Sequence, residues 1–573
     1  MARNDVRPAV AALVAAALTG GHTLAQDGST HPSNLPQSVQ AEGVPVGSVS
    51  VQLKAPGGSA ERDAAVLEAI RKMGAGLEGE PFSAIETRRA VARMAREPGV
   101  QNVEYRLLPQ GANALRILFL VDVAPEKKKE EGLPSGILTG DLADFPVFYK
   151  DDRSLVTAIV AGGLGVYSDG NAWFGRPELF LNPLGYLPGA STTWTEGSVE
   201  IGGGFAAQLG DSPVYAFGAL TGMKTWTIGE DVFRDDDRDF DSAEKAYAGL
   251  LYADLESRNY AKLGVGRQTF TLNDGFLVNL VRGSVNAGDR GASYLGPRLT
   301  NAFSVLADGR FGSWGFNAFY IDPSELDGSD TATSFLGGNI RYRFTDDVSL
   351  DGTLMTILTS DSVYGGSDGL KRKGLNTAAA HLLWKNLGAD GVFLESEFGH
   401  QWHPDYDMSA WAGYGTIGYI AREATWTPSI SYRYALFSGD DPDTETFERW
   451  DPLLSTGLGI WLQGVSFGKI VSNSNLATHR VQLNVVPVET LNVTFDYHKL
   501  TVPETDDSMS NRVPGILSSS DLGQEFTLSA RWAINRNLYL QGIASYAMPG
   551  EALDELGADE NWSTLQLSLY WGL

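Results

Sequence analysis

Six arginines sit where neighbouring side chains alternate between apolar and polar, and their spacing suggests a charged surface inside a greasy wall. In Ile430–Leu436 the apolar residues share one phase and Arg433 takes the other. Arg480 runs in phase with Gln482 and Asn484, against Val481 and Val485. Arg341 and Arg343 oppose Ile340, Tyr342 and Phe344. Arg531 shares a face with Thr527 and Ser529, while Phe526, Leu528, Ala530 and Trp532 take the other. A strand has a side-chain period of two, so each segment has one wet and one apolar face. Arg267 is the exception. It shares phase with Leu263 and Val265, so either the strand ends before it or a bulge re-aims it. Guanidinium is a permanent charge that grips carboxylates bidentately, so inward arginines would attract an anionic solute. Acids read as inward too: Glu200, Asp254, Asp351, Glu395, Glu397 and Asp496. Alternation leaves two readings open, an ion-pair lattice that stiffens a wall and a basic ring that conducts anions.

The elements that carry these residues are strands. The last, Trp562–Leu573, puts Leu565, Leu567, Leu569, Trp571 and Leu573 on one face. Thr564, Gln566, Ser568 and Gly572 take the other. Similar segments recur from about Ser154 onward, separated by connections of alternately short and long length. Arg343-Phe-Thr-Asp-Asp-Val348 is one tight turn, and Phe233–Ser242 reads as an exposed polar loop. This is the pattern of a transmembrane antiparallel β-barrel, apolar outside and polar inside. About 420 residues at roughly 24 per strand and connection predict about 18 strands.

Composition agrees. Mean hydropathy is −0.14, too polar for a helical membrane protein, and the longest apolar stretch, Pro8–Leu18, is too short to span as a helix. That stretch follows Arg3 and Arg7 and precedes Thr23-Leu24-Ala25, so residues 1–25 read as a secretory signal peptide. The chain has no cysteine, so an exported protein of 573 residues must draw its stability from a large hydrogen-bonded framework. A net charge of −26 argues against a nucleic-acid partner. Residues 26–47 read as a flexible linker. Residues 48–126 read as a small α+β unit of order β-α-α-β-β, with Ser83 and Glu86 spaced as a helix-capping box. Residues 127–153 read as a second linker, with Lys127–Gly132 a charged hinge, and 154–573 as the barrel.

Catalytic and metal signatures are weak. Gly365-Gly-Ser-Asp-Gly369 has the spacing of a nucleophile elbow, but it lies in a polar loop rather than between a strand and a helix. The seven histidines are scattered, and neither Asp235–Asp241 nor Asp440–Asp443 has the spacing of a calcium loop. No enzyme activity, cofactor or metal is expected.

Three stretches carry a family resemblance. They are Gly266-Arg267-Gln268 with Asn273-Asp274-Gly275; Tyr432-Arg-Tyr-Ala-Leu-Phe-Ser-Gly-Asp-Asp-Pro-Asp443 with Phe447-Glu-Arg-Trp-Asp-Pro-Leu453; and Trp461-Leu-Gln-Gly464 with Ser474-Asn475, Arg480 and Leu491–Tyr497. In this order they resemble the alginate-export family of Gram-negative outer-membrane barrels. The resemblance implies an 18-stranded barrel with an arginine-lined pore for an anionic polysaccharide or oligosaccharide. It makes Arg433, Arg480 and Arg267 the conduit candidates, with outer-membrane lipid around the barrel. The N-terminal unit resembles a POTRA domain, which implies a periplasmic export or assembly partner. The alternative is a POTRA-bearing two-partner-secretion protein translocator, suggested by Val281-Arg282-Gly283 and Gly288-Asp-Arg-Gly291. Nearly 300 residues follow that motif, where the transporter family keeps only a few strands.

Overall fold

A computed structural model describes residues 44–124 and 146–572, except 57–59, 96, 98, 111–113, 181–184, 255–256, 258, 280–287, 327–329, 454, 456–460, 508–511 and 514–515. The signal peptide, most of the first linker, the charged hinge, Val281-Arg282-Gly283 and Leu573 lie outside the described residues. The chain divides into two units, residues 1–131 and 132–573.

The first unit has the expected order: β1 (Val46–Ala55), α1 (Ala60–Gly74), α2 (Ala84–Met94), β2 (Val100–Gln110) and β3 (Ala114–Val123). The sheet runs β1-β3-β2, with β3 parallel to β1 and antiparallel to β2. Strand alternation puts Val49, Val103, Ile117, Phe119 and Val121 under the helices, where Ile70, Ala90 and Met94 close the core. Ser83 occupies the N-cap of α2 but makes no side-chain cap bond, and Glu86 pairs with Arg89 at 2.7 Å instead. The capping box is therefore not formed. The exit from α2 turns at Gly99, whose φ of +92° suits a residue without a Cβ.

The second unit is a closed barrel of 18 antiparallel strands, β5 (Ser154–Gly170) to β22 (Trp562–Gly572). Each strand pairs with the next in sequence, and β22 pairs back with β5. A short strand, β4 (Val147–Lys150), lies against β5, within the stretch expected to be linker. One end of the barrel carries short turns, such as Gly312-Ser313, Glu489-Thr490 and Arg536-Asn537. The other carries long connections, including 171–190, 268–302 and 438–475. The outer face is an apolar belt: Ile340, Ile430, Leu483, Leu528 and Leu565 are exposed.

The long connections do not all stand in solvent. Trp173 and Phe174 of 171–190, Phe276 and Val278 of 268–302, and Trp450, Trp461 and Phe467 of 438–475 are buried in one apolar cluster with wall residues Tyr414 and Phe437. Phe276 lies 5.1 Å from Trp461 and 5.4 Å from Tyr414, ring centre to ring centre. Phe233–Ser242 is not an exposed loop either. Phe233 packs edge-on to Trp173, and Arg238–Ser242 belongs to β8 (Arg238–Asp254), with Arg238 buried against Asp231.

Candidate functional site in the lumen

The inward faces of five consecutive strands align into a row. These are β16 (Ala410–Ile420), β17 (Ser429–Phe437), β18 (Leu476–Val488), β19 (Leu491–Thr501) and β20 (Asp521–Asn535). Cross-strand register sets Thr416, Arg433, Arg480, His498 and Glu525 side by side. Two guanidiniums are thus direct neighbours on the wall. Arg480 donates from Nε to Asp496 Oδ1 at 2.7 Å, and Gln482 donates to the same oxygen at 3.0 Å. Arg433 is only 5 % exposed, and its guanidinium lies 4.4 Å from the centre of the Trp461 ring, a cation–π contact.

Trp461 is held there by the segment 461–467, which crosses the same strands from inside. Gln463 Oε1 accepts from Thr478 on β18. Glu525 on β20 accepts from the backbone N–H groups of Val465, Ser466 and Phe467, and from the Thr527 and Ser545 hydroxyls. Further on, Lys469 pairs with Asp169 of β5 at 2.6 Å, both groups buried. Trp562 and Thr564 of β22 donate to the same carboxylate. Connection 438–475 is therefore a strap folded inside the lumen, anchored to β18 and β20 and, further on, to the seam between β22 and β5.

Connection 268–302 is pinned by the same chemistry. Glu196 on β6 (Ser191–Gln208) accepts from the N–H groups of Tyr294 and Leu295, and Glu244 on β8 from those of Leu299 and Thr300. A buried carboxylate that accepts from adjacent backbone N–H groups fixes the loop that supplies them.

The remaining sequence-derived arginines divide by environment. Arg267 ends β9 (Asn259–Arg267) and points inward, donating to Ser324 at 3.0 Å. Gly266 before it has φ +124° and breaks the alternation that would have aimed Arg267 at lipid. Arg341 of β12 (Ser334–Arg343) pairs with Asp351 at 2.6 Å and donates to Asn273 of the inward loop. Arg343 and Arg341 line a recess with Arg310, Tyr260 and Trp314 near the short-turn end. Arg531 lies over the Tyr539 ring at 4.2 Å. Among the described residues neither Arg343 nor Arg531 forms an ion pair. The wall thus contains both expected patterns: a lattice at Arg341 and Arg480, and guanidiniums without acids at Arg343 and Arg531.

The acids gather elsewhere. His381 bridges Asp351 and Glu395 at 3.2 and 3.1 Å, with Glu397 beside them on the wall. At the long-loop end, Glu504 is held above the usual carboxylate range by burial and by Asp441, Glu448, Asp507 and Asp506. Arg512, over the Phe233 ring, is pushed down to about 10 by burial. Among the described residues no cluster of three or more His, Asp or Glu side chains is placed to hold a metal ion.

Sequence reasoning missed the strap and its anchors. Phe276, Trp450, Trp461 and Phe467 stand in segments rich in Gly, Ser and Asp, and the signal was their bulk: exposed loops seldom carry so many large aromatics. It also passed over Arg310 and His498.

An apolar belt outside, a charged wall inside and long loops folded into the lumen define an outer-membrane channel of Gram-negative type. The chain belongs to the alginate export family, whose sequence pattern matches residues 208–561. No curated protein matches the chain by sequence. Solved porin structures are similar in fold at low identity. OccAB1 of Acinetobacter baumannii is 12% identical, with a TM-score of 0.46 over 73% of this chain and 96% of its own. Pseudomonas aeruginosa OprD is 12% identical, with a TM-score of 0.44 over 75% and 96%. OccK5 of the same organism is 9% identical, with a TM-score of 0.44 over 73% and 98%.

Proposed function

We propose that the barrel conducts an anionic polysaccharide or oligosaccharide across the outer membrane. The observation that carries this is the in-register pair Arg433–Arg480 on the lumen wall. Two adjacent guanidiniums offer a bidentate site that a carboxylate of a passing chain can enter and leave. Arg267, Arg341, Arg343 and Arg531 extend the basic surface along the wall. The N-terminal unit acts as a POTRA-like module that meets a periplasmic export or assembly partner.

The test is single-channel recording in a salt gradient. Wild-type channels should be anion-selective and blocked by an oligouronate. The Arg433→Ala/Arg480→Ala double variant should shift its reversal potential toward the cation side and lose most of the block. Lysine at both positions should restore selectivity and only part of the block, since ammonium lacks the bidentate fork. An unchanged reversal potential and block in the double-alanine channel would make these arginines wall struts. The N-terminal unit and the Gly288–Gly291 segment favour a second reading, a protein translocator, which predicts a barrel that stays closed to ions and polyuronate alike.

A further inference from the structure

His498 points into the barrel, is 4 % exposed, and neither ring nitrogen has a hydrogen-bond partner among the described residues. Register places it between Arg480 and Glu525. Glu525 spends its oxygens on the strap's N–H groups and two hydroxyls. Asp496, on the same face of β19, is taken by Arg480 and Gln482. Among the described residues neither carboxylate accepts from the imidazole. Trp461 is in the same position: its ring covers Arg433, and its indole N–H is buried with no acceptor among the described residues. Burying donors without acceptors costs stability, so imidazole and indole N–H groups set beside two guanidiniums call for one chemical species, an oxyanion.

We propose that His498, together with Arg480 and Arg433, forms an oxyanion subsite between the strap and the wall that takes one carboxylate of the passing sugar chain. The inference rests on the anionic-solute reading and adds to it a specificity-determining residue. Arginine supplies charge, and the imidazole supplies a directed donor that need not carry a full charge. The subsite can therefore orient a carboxylate while still releasing it, as conduction requires. Trp461 sits at its edge, so an arriving carboxylate competes with the indole face for Arg433.

The experiment uses the full chain in detergent with 15N-labelled histidine rings. The His498 signals are assigned by their loss in His498→Gln. Acetate and a short oligouronate are titrated separately. The expected result is a saturable shift of the His498 ring signals with both, weakened about tenfold or more in Arg480→Ala, the scale of a lost charge-assisted hydrogen bond. In bilayers, His498→Leu should weaken oligouronate block by a similar factor, and His498→Gln, which keeps an N–H donor, should retain most of it. A ring that shifts with acetate but not with the oligouronate marks a small-anion site only and overturns the substrate assignment. A ring silent to both is held by packing or a structural water, and the subsite falls. The wild-type reversal potential separates the two ideas: an anion-selective channel with a silent ring overturns the subsite alone, whereas a cation-selective channel overturns the conduit.

Discussion

Arg267 reaches the lumen because of the residue before it. A Cβ built on Gly266 would lie 2.3 Å from the carbonyl oxygen of Ala246, and the φ of +124° is one that L side chains rarely adopt. Gly266→Ala must therefore straighten the strand end or push β8 away. The expected cost is about 1–3 kcal/mol, the scale of a held backbone outlier. Urea unfolding in detergent micelles should show a lowered midpoint, and an unchanged midpoint would mean that the strand end accommodates a side chain. The other five arginines needed no such device. Their phase alone aims them inward, because a guanidinium facing lipid at mid-depth costs about 2–4 kcal/mol.

The strap depends on single carboxylates in the wall. Glu525→Ala removes the acceptor of three backbone N–H groups and leaves them buried. Each orphaned group costs about 1–3 kcal/mol, so segment 461–467 should detach while the strands remain paired. Open-channel conductance and current noise should both rise, with the folded barrel unchanged by circular dichroism. A quiet channel of wild-type conductance would show that Lys469 and the aromatic cluster hold the strap unaided. The contrast between strands and connections explains what the sequence reveals. A strand between lipid and water writes its environment into its own alternation, so the barrel, the 18 strands and the facing of Arg433, Arg480, Arg341 and Arg531 are legible. A connection is buried by partners far away in sequence. Nothing within Trp461–Phe467 announces Glu525, and nothing within Phe233–Ser242 announces that β8 begins there and that Trp173 covers Phe233. Ser83 shows the opposite limit: a capping-box spacing is present, yet Glu86 has a nearer arginine to meet.

The whole barrel rests on one facing assignment, and the terminal strand tests it. Leu565 is 48 % exposed on the lipid side, and Leu567 shares its phase, whereas Gln566 lies toward the lumen. Leu567→Arg should lose about 2–4 kcal/mol of membrane stability and fail to reach the heat-modifiable folded form. Gln566→Arg should assemble normally. Equal behaviour of the two would discredit every lumen residue named above.

The Lys469–Asp169 pair also sets an order of events during biogenesis. Its carboxylate belongs to the first long strand of the barrel, two of its donors to the last, and its lysine to the strap, 300 residues from Asp169 along the chain. The docking place for the lysine is complete only when the seam between the first and last strands has zipped. Until then a lone charge on the nascent sheet has nowhere dry to go and stays hydrated. The interior is furnished last, after the wall is sealed, and an intermediate stalled with an open seam should leave its unanchored strap within reach of protease.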